Sequence, residues 1–166
     1  MLDYLSGVPR RLECDFVPSP SGGGLHAVQE EEVHHCYIVL QGYTPDLHSP
    51  DRVECPALVT GVGFTQVVFG YPNEEAYWED ARDGLEHGFF EVEGSGWSAA
   101  IDDYNNRSIG TAYFRGRSQR HFFIGSKDAS CQLLADDLKV EVFPGHQFIE
   151  VVGMIQQRIH EYFSKG

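Results

Sequence analysis

Four cysteines, at positions 14, 36, 55 and 131, are the first residues whose chemistry the sequence raises. No two of them form a C-x-x-C pair, so the spacing matches neither a zinc site nor the disulfide framework of a small secreted domain. Cys14, Cys36 and Cys131 fall in stretches that read as strands, where a free thiol acts as a small buried apolar group. Met1–Arg10 lacks the basic start and apolar run of a signal peptide, and with unpaired cysteines this gives the expectation of a reducing, cytoplasmic setting. His34-His35-Cys36 sets two imidazoles beside a thiol. Successive strand residues point to opposite faces, however, so at most one of these histidines joins Cys36. A zinc site would need His26, His48 or Cys55 brought in by the fold; no metal and no other cofactor is expected.

The one acid–base constellation is His121 with Asp128, with Asp102 or Asp103 as further partners. A hairpin that carries His121 next to a carboxylate makes a general base. No nucleophile goes with it: G-x-S-x-G is absent, and Ser126 and Ser130 have no local signature. The expectation is therefore a strand-end histidine capped by a turn aspartate, and no catalytic set. Gly61-Val62-Gly63 and Gly22–Gly24 lack the helix start and the Lys-Ser/Thr that a phosphate cradle requires. Arg115, Arg117 and Arg120 form the basic cluster of the chain, expected to pair with its own acidic segment.

The elements that must position these groups are mostly strands. Residues 10–17 read as a first strand, and 18–24 (PSPSGGG) as a Pro/Gly/Ser-rich surface loop. Residues 33–42 read as a buried strand, Pro45 to Pro56 as a connector, and 57–69 as two short strands or one bulged at Gly61 and Gly63. Asn73 caps a helix running to Gly84, with Glu74 and Glu75 in its first turn and Trp78, Ala81 and Leu85 on one face. Residues 88–93 read as a strand and 95–105 as a short amphipathic helix carrying Trp97, Ile101 and Tyr104. Strands at 109–115, 121–125, 129–135 and 138–143 form a meander with turns at 116–118, 126–128 and 136–137. Phe148, Val151, Val152, Ile155, Ile159 and Phe163 recur at three- and four-residue steps and predict a helix with one apolar stripe. The sum is an α+β fold over 1–166, a single domain: a curved, mainly antiparallel sheet with a C-terminal amphipathic helix across it and one or two short helices.

The chain of 166 residues carries 25 acids against 12 bases, a formal charge of −13. Residues 71–110 hold ten of the acids and only Arg82 and Arg107 as bases, interleaved with Trp78, Trp97, Tyr71, Tyr77 and Tyr104. Such acidity repels phosphate backbones and excludes nucleic acid, and no apolar run is long enough for a membrane helix.

Three stretches, VFGYPNEEAY (68–77), HGFFEVEGSGW (87–97) and RHFFIGSKDASCQLLAD (120–136), resemble a family of uncharacterised small bacterial proteins. Its pattern is Gly-Tyr-Pro-Asn-Asp/Glu-Glu, then Glu-Val-x-x-Ser-x-Trp, then a His-Phe strand leading to an Asp-centred turn. The resemblance covers about the C-terminal two thirds and implies a fold but no activity. Where the family pattern has a His-Asp pair and a later Glu, this chain has Lys127-Asp128 and Gln132.

The functional expectation is a non-catalytic interaction protein, of the immunity or inhibitor kind, that binds a basic protein partner. Carboxylates steer such a partner and aromatics supply contact area. The partner-binding residues are expected among Glu74, Glu75, Trp78, Glu79, Asp80, Asp83, Asp102 and Asp103. The alternatives are a small hydrolase or isomerase using His121 and Asp128, and a protein that binds a small apolar ligand among its 11 Phe and 8 Tyr. The sequence leaves the oligomeric state open.

Overall fold

The β-branched and aromatic residues of the chain form two antiparallel sheets. The structure is a computed structural model and describes residues 6–19, 25–30 (backbone only), 34–45, 48–64, 66–70, 87–107, 119–126 and 130–164. Strands β1 (Val8–Arg11), β2 (Val17–Pro18), β3 (Leu25–Glu30), β4 (His35–Thr44), β5 (Val53–Val62) and β6 (Gln66–Gly70) come first. Then follow β7 (Gly88–Glu93), helix α1 (Gly96–Arg107), β8 (Arg120–Gly125), β9 (Ser130–Ala135), β10 (Asp137–Val142) and helix α2 (Phe148–Phe163). One sheet runs β1-β7-β8-β9-β6; the other runs β10-β5-β4-β2, with β3 also paired to β4.

The sheets face each other across one apolar core. Cys36, Ile38, Leu40, Ala57 and Val59 from β4 and β5 meet Phe89, Phe122, Ile124, Cys131 and Leu133 from β7, β8 and β9. The alternate residues Tyr37, Val39 and Leu58 point the other way, onto Val151 and Ile155 of α2. Burial on both faces explains why Tyr37–Leu40 and Ala57–Val59 are apolar runs and not alternating ones. Helix α2 is the sequence-predicted C-terminal helix lying across a sheet, fixed further by a bidentate Arg158–Glu141 pair to β10 at 2.7 and 2.9 Å. On the opposite outer face, Trp97 of α1 packs on His121 of the second sheet.

The predicted single sheet is thus realised as two. Residues 10–17 are not one strand: β1 pairs with β7 and β2 with β4, and the irregular turn between them plunges Phe16 into the core. Pro56 lies inside β5, not in a connector. Its missing N–H costs no bond of the β10 ladder, which ends at Ala57, and the Pro56 carbonyl still accepts from Phe143 N–H at 3.0 Å. The stretch 57–69 splits at Gly63, φ +63°, and its halves join different sheets. The expected meander also breaks at Asp136, since β10 leaves β9 and pairs with β5. Strand β3 was not foreseen. The predicted helix 73–84, the strand 109–115 and most of the 18–24 loop lie outside the described residues.

Candidate functional site

Strand β7 ends at Glu93, and Gly94, at φ +68°, turns the chain so that Ser95 becomes the residue before α1. Ser95 Oγ accepts the Ser98 backbone N–H at 3.1 Å, a serine N-cap. The same oxygen lies 2.8 Å from Nδ1 of His121, which β8 projects from the outer face of its sheet. On the far side of the ring, His121 Nε2 lies 3.1 Å from Gln132 Oε1 of β9. His121 pairs with Leu134 and Gln132 with Phe123 across β8 and β9, so the two polar residues are diagonal neighbours on one face. The Trp97 ring meets the imidazole edge-on at 5.1 Å, and its indole N–H donates to Gln66 Oε1 of β6 at 2.9 Å.

This environment fixes the protonation of the ring. His121 is 1% exposed; burial pulls its pKa from 6.5 down to about 4, with the Gln132 hydrogen bond opposing. The ring is therefore neutral near pH 7. An amide oxygen only accepts, so the proton sits on Nε2 and donates to Gln132. Nδ1 is left as an acceptor, and the Ser95 hydroxyl donates to it.

Above this network opens a cavity of about 370 Å³ between β7, β8 and α1, its lining including Ser95, His121, Glu91, Glu93 and Asp102. Glu91 is held by Arg120 at 2.6 Å, and that hydrogen bond keeps its carboxyl below the usual range. Arg120 also reaches Asp137 at 3.4 Å, so the expected pairing of this arginine with acidic neighbours is present. Arg115 and Arg117 lie outside the described residues. Glu93 faces Arg10 at 3.3 Å and Asp103 pairs with Arg107, whereas Asp102 has no ion pair among the described residues.

The aspartate expected to cap His121 lies outside the described residues, while His121 itself is the second residue of β8. His121 is inside the protein, and its partners are a serine 26 residues back and a glutamine 11 residues on. Sequence reasoning met Ser95 and Gln132 only within the resemblance and did not join them to His121, because both contacts depend on how α1 and β9 flank β8. The signal present was Gly94-Ser95-Gly96 between a predicted strand and a predicted helix. Asp128 lies outside the described residues, as do Glu74, Glu75, Trp78, Glu79, Asp80 and Asp83. Ser126 and Ser130 are buried.

His34 is a turn residue at φ +51°, not a strand residue, and His35 opens β4 with Nδ1 3.2 Å from the Tyr37 hydroxyl. Among the described residues no three His, Cys, Asp or Glu side chains are grouped to hold a metal. Cys14 lies in the irregular stretch after β1 and is half-buried, while Cys36, Cys55 and Cys131 are buried free thiols. Burial raises the Cys36 pKa to about 11 and also pushes that of Cys131 well above its ordinary value. No described helix is long and apolar enough to cross a membrane.

Fold and site together define an α+β protein of two facing antiparallel sheets, a helix on each outer face, with a polar-floored cavity beside α1. No family model matches the chain, and no curated protein or solved structure matches it.

Proposed function

We propose that the protein is an acidic interaction protein, of the immunity or inhibitor kind, which binds a basic protein partner. One observation carries the reading: the acid-rich stretch 71–110 contributes Glu91, Glu93 and Asp102 to the lining of a single cavity. A cavity of about 370 Å³ accepts a lysine or arginine side chain, and Asp102 is its uncommitted carboxylate among the described residues. The overall charge of −13 steers a cationic partner toward this surface.

The test is isolation of the basic polypeptide that co-purifies with the tagged protein from its native cell, followed by stopped-flow association with that polypeptide. Association is expected to slow by roughly tenfold or more from low to near-molar salt. Asp102→Lys is expected to slow it at low salt and to blunt that salt dependence. Rates indifferent to both salt and Asp102→Lys overturn the proposal.

A further inference from the structure

We infer that Ser95 is a nucleophile toward small activated esters entering the cavity, with His121 as the base that takes its proton. This goes beyond partner binding. The geometry has three parts. The Ser95 hydroxyl donates to Nδ1 at 2.8 Å, so proton and acceptor are already aligned. Gln132 holds Nε2–H at 3.1 Å and so keeps the Nδ1 lone pair facing Ser95; it is a positioning residue. Ser95, 6% exposed, and His121, 1% exposed, are both among the residues lining the cavity, and a substrate carbonyl would approach Oγ from that side.

Other serines there lack this arrangement. Ser98 gives its hydroxyl proton to the Gln119 carbonyl at 2.6 Å instead. In the step itself, Oγ bonds to the carbonyl carbon and the hydroxyl proton passes to Nδ1. The bond from carbon to the leaving oxygen then breaks, and that oxygen takes the proton from Nδ1 and departs as the alcohol. The product is an acyl group on Ser95.

Two features set the rate. Gln132 orients the ring but brings no charge to stabilise the imidazolium, so acylation is slow beside that of a carboxylate-backed histidine. The Gly96 N–H, the donor next to the nucleophile, is shared by the carbonyl and hydroxyl of Ser6 at 3.0 and 3.1 Å, and a substrate oxyanion must displace Ser6 to reach it. The charged groups facing this floor are Glu91 and Glu93 of β7, Asp102 of α1 and Arg120 of β8. The excess of carboxylates selects neutral or cationic esters over anionic ones.

The test is labelling of the whole chain with an uncharged fluorophosphonate, read by intact mass and peptide mapping. The Oγ–P bond forms, the P–F bond breaks, fluoride leaves and the proton passes through Nδ1 to solvent. The expected result is one adduct, on Ser95. Ser95→Ala abolishes it, and His121→Asn slows labelling by roughly 100-fold. Gln132→Glu, which places a carboxylate on Nε2, speeds labelling and moves the midpoint of its pH profile upward, a shift that a packing role for Gln132 does not produce. Mapping of the wild-type adduct decides the matter even where a variant fails to fold. No adduct on Ser95 of the folded chain, or equal rates in wild type and folded His121→Asn, overturns the inference.

Discussion

Acid should weaken this fold through His121 before it weakens it through Glu91 or Glu141. The ring is 1% exposed and its pKa falls from 6.5 to about 4 on folding, chiefly through burial. Above pH 6.5 both folded and unfolded chains carry the neutral ring, and no stability is lost. Between 6.5 and about 4 the unfolded chain binds a proton that the folded one refuses, so stability falls as pH falls. The full difference is about 3 kcal/mol, of which about 2 kcal/mol is gone by a pH of about 5. Glu91 and Glu141, whose pKa values lie below 4.5 because of their arginine hydrogen bonds, contribute their losses only at lower pH. His35, also lowered by burial, adds a loss of the same sign, so the measurement needs a variant in which His121 alone is silenced. Urea unfolding at steps from neutral pH to about 4.5, on wild type and His121→Gln, separates the two histidines. The wild type should lose about 2 kcal/mol more than the variant over that range. Parallel curves would refute the claim that the imidazole is buried in its neutral form.

Three further outcomes follow from burial and exposure. Leu58, wholly buried between its sheet and α2, should cost about 2–5 kcal/mol on Leu58→Ala, read from the urea midpoint; Ile149→Ala on the exposed side of α2 should stay within about 0.5 kcal/mol of wild type. The Arg158–Glu141 pair is bidentate, yet its side chains are 36% and 45% exposed, so a double-mutant cycle should find a coupling below about 1 kcal/mol.

What could be read in advance was whatever local periodicity encodes. The apolar stripe of α2 and the alternation of Leu138, Val140 and Val142 in β10 mark a helix and a strand directly, because each face meets one environment. Which sheet a strand enters is a long-range matter. Asp136 reads as an ordinary turn residue, and nothing near it states that the chain crosses there from one sheet to the other. Pro56 reads as a breaker, because a missing N–H is harmless only where the neighbouring strand has ended, and that depends on the register of β10. The site suffers the same limit. His121 was visible as a titratable group, but its environment is set by Ser95 from a helix start and Gln132 from the next strand. A single sequence separates those residues, and only the pairing of β7, β8 and β9 brings them together.

Packing alone does not require this network. A serine cap on α1 needs only the bond from Ser98 N–H to Ser95 Oγ, and an apolar residue at 121 would fill the space beside Trp97 without losing stability in acid. Buried polar groups in a β-face are stabilising only when every member is satisfied, and apolar residues of similar volume commonly do as well. Here the histidine is satisfied on both nitrogens, yet burying it in the neutral form is expected to make the fold acid-labile. The arrangement aligns a hydroxyl proton with the imidazole lone pair on Nδ1, beside a cavity that both residues line. Helix capping accounts for the serine; it leaves unexplained why a neutral, tautomer-locked base stands behind it, and a reactive hydroxyl supplies that reason.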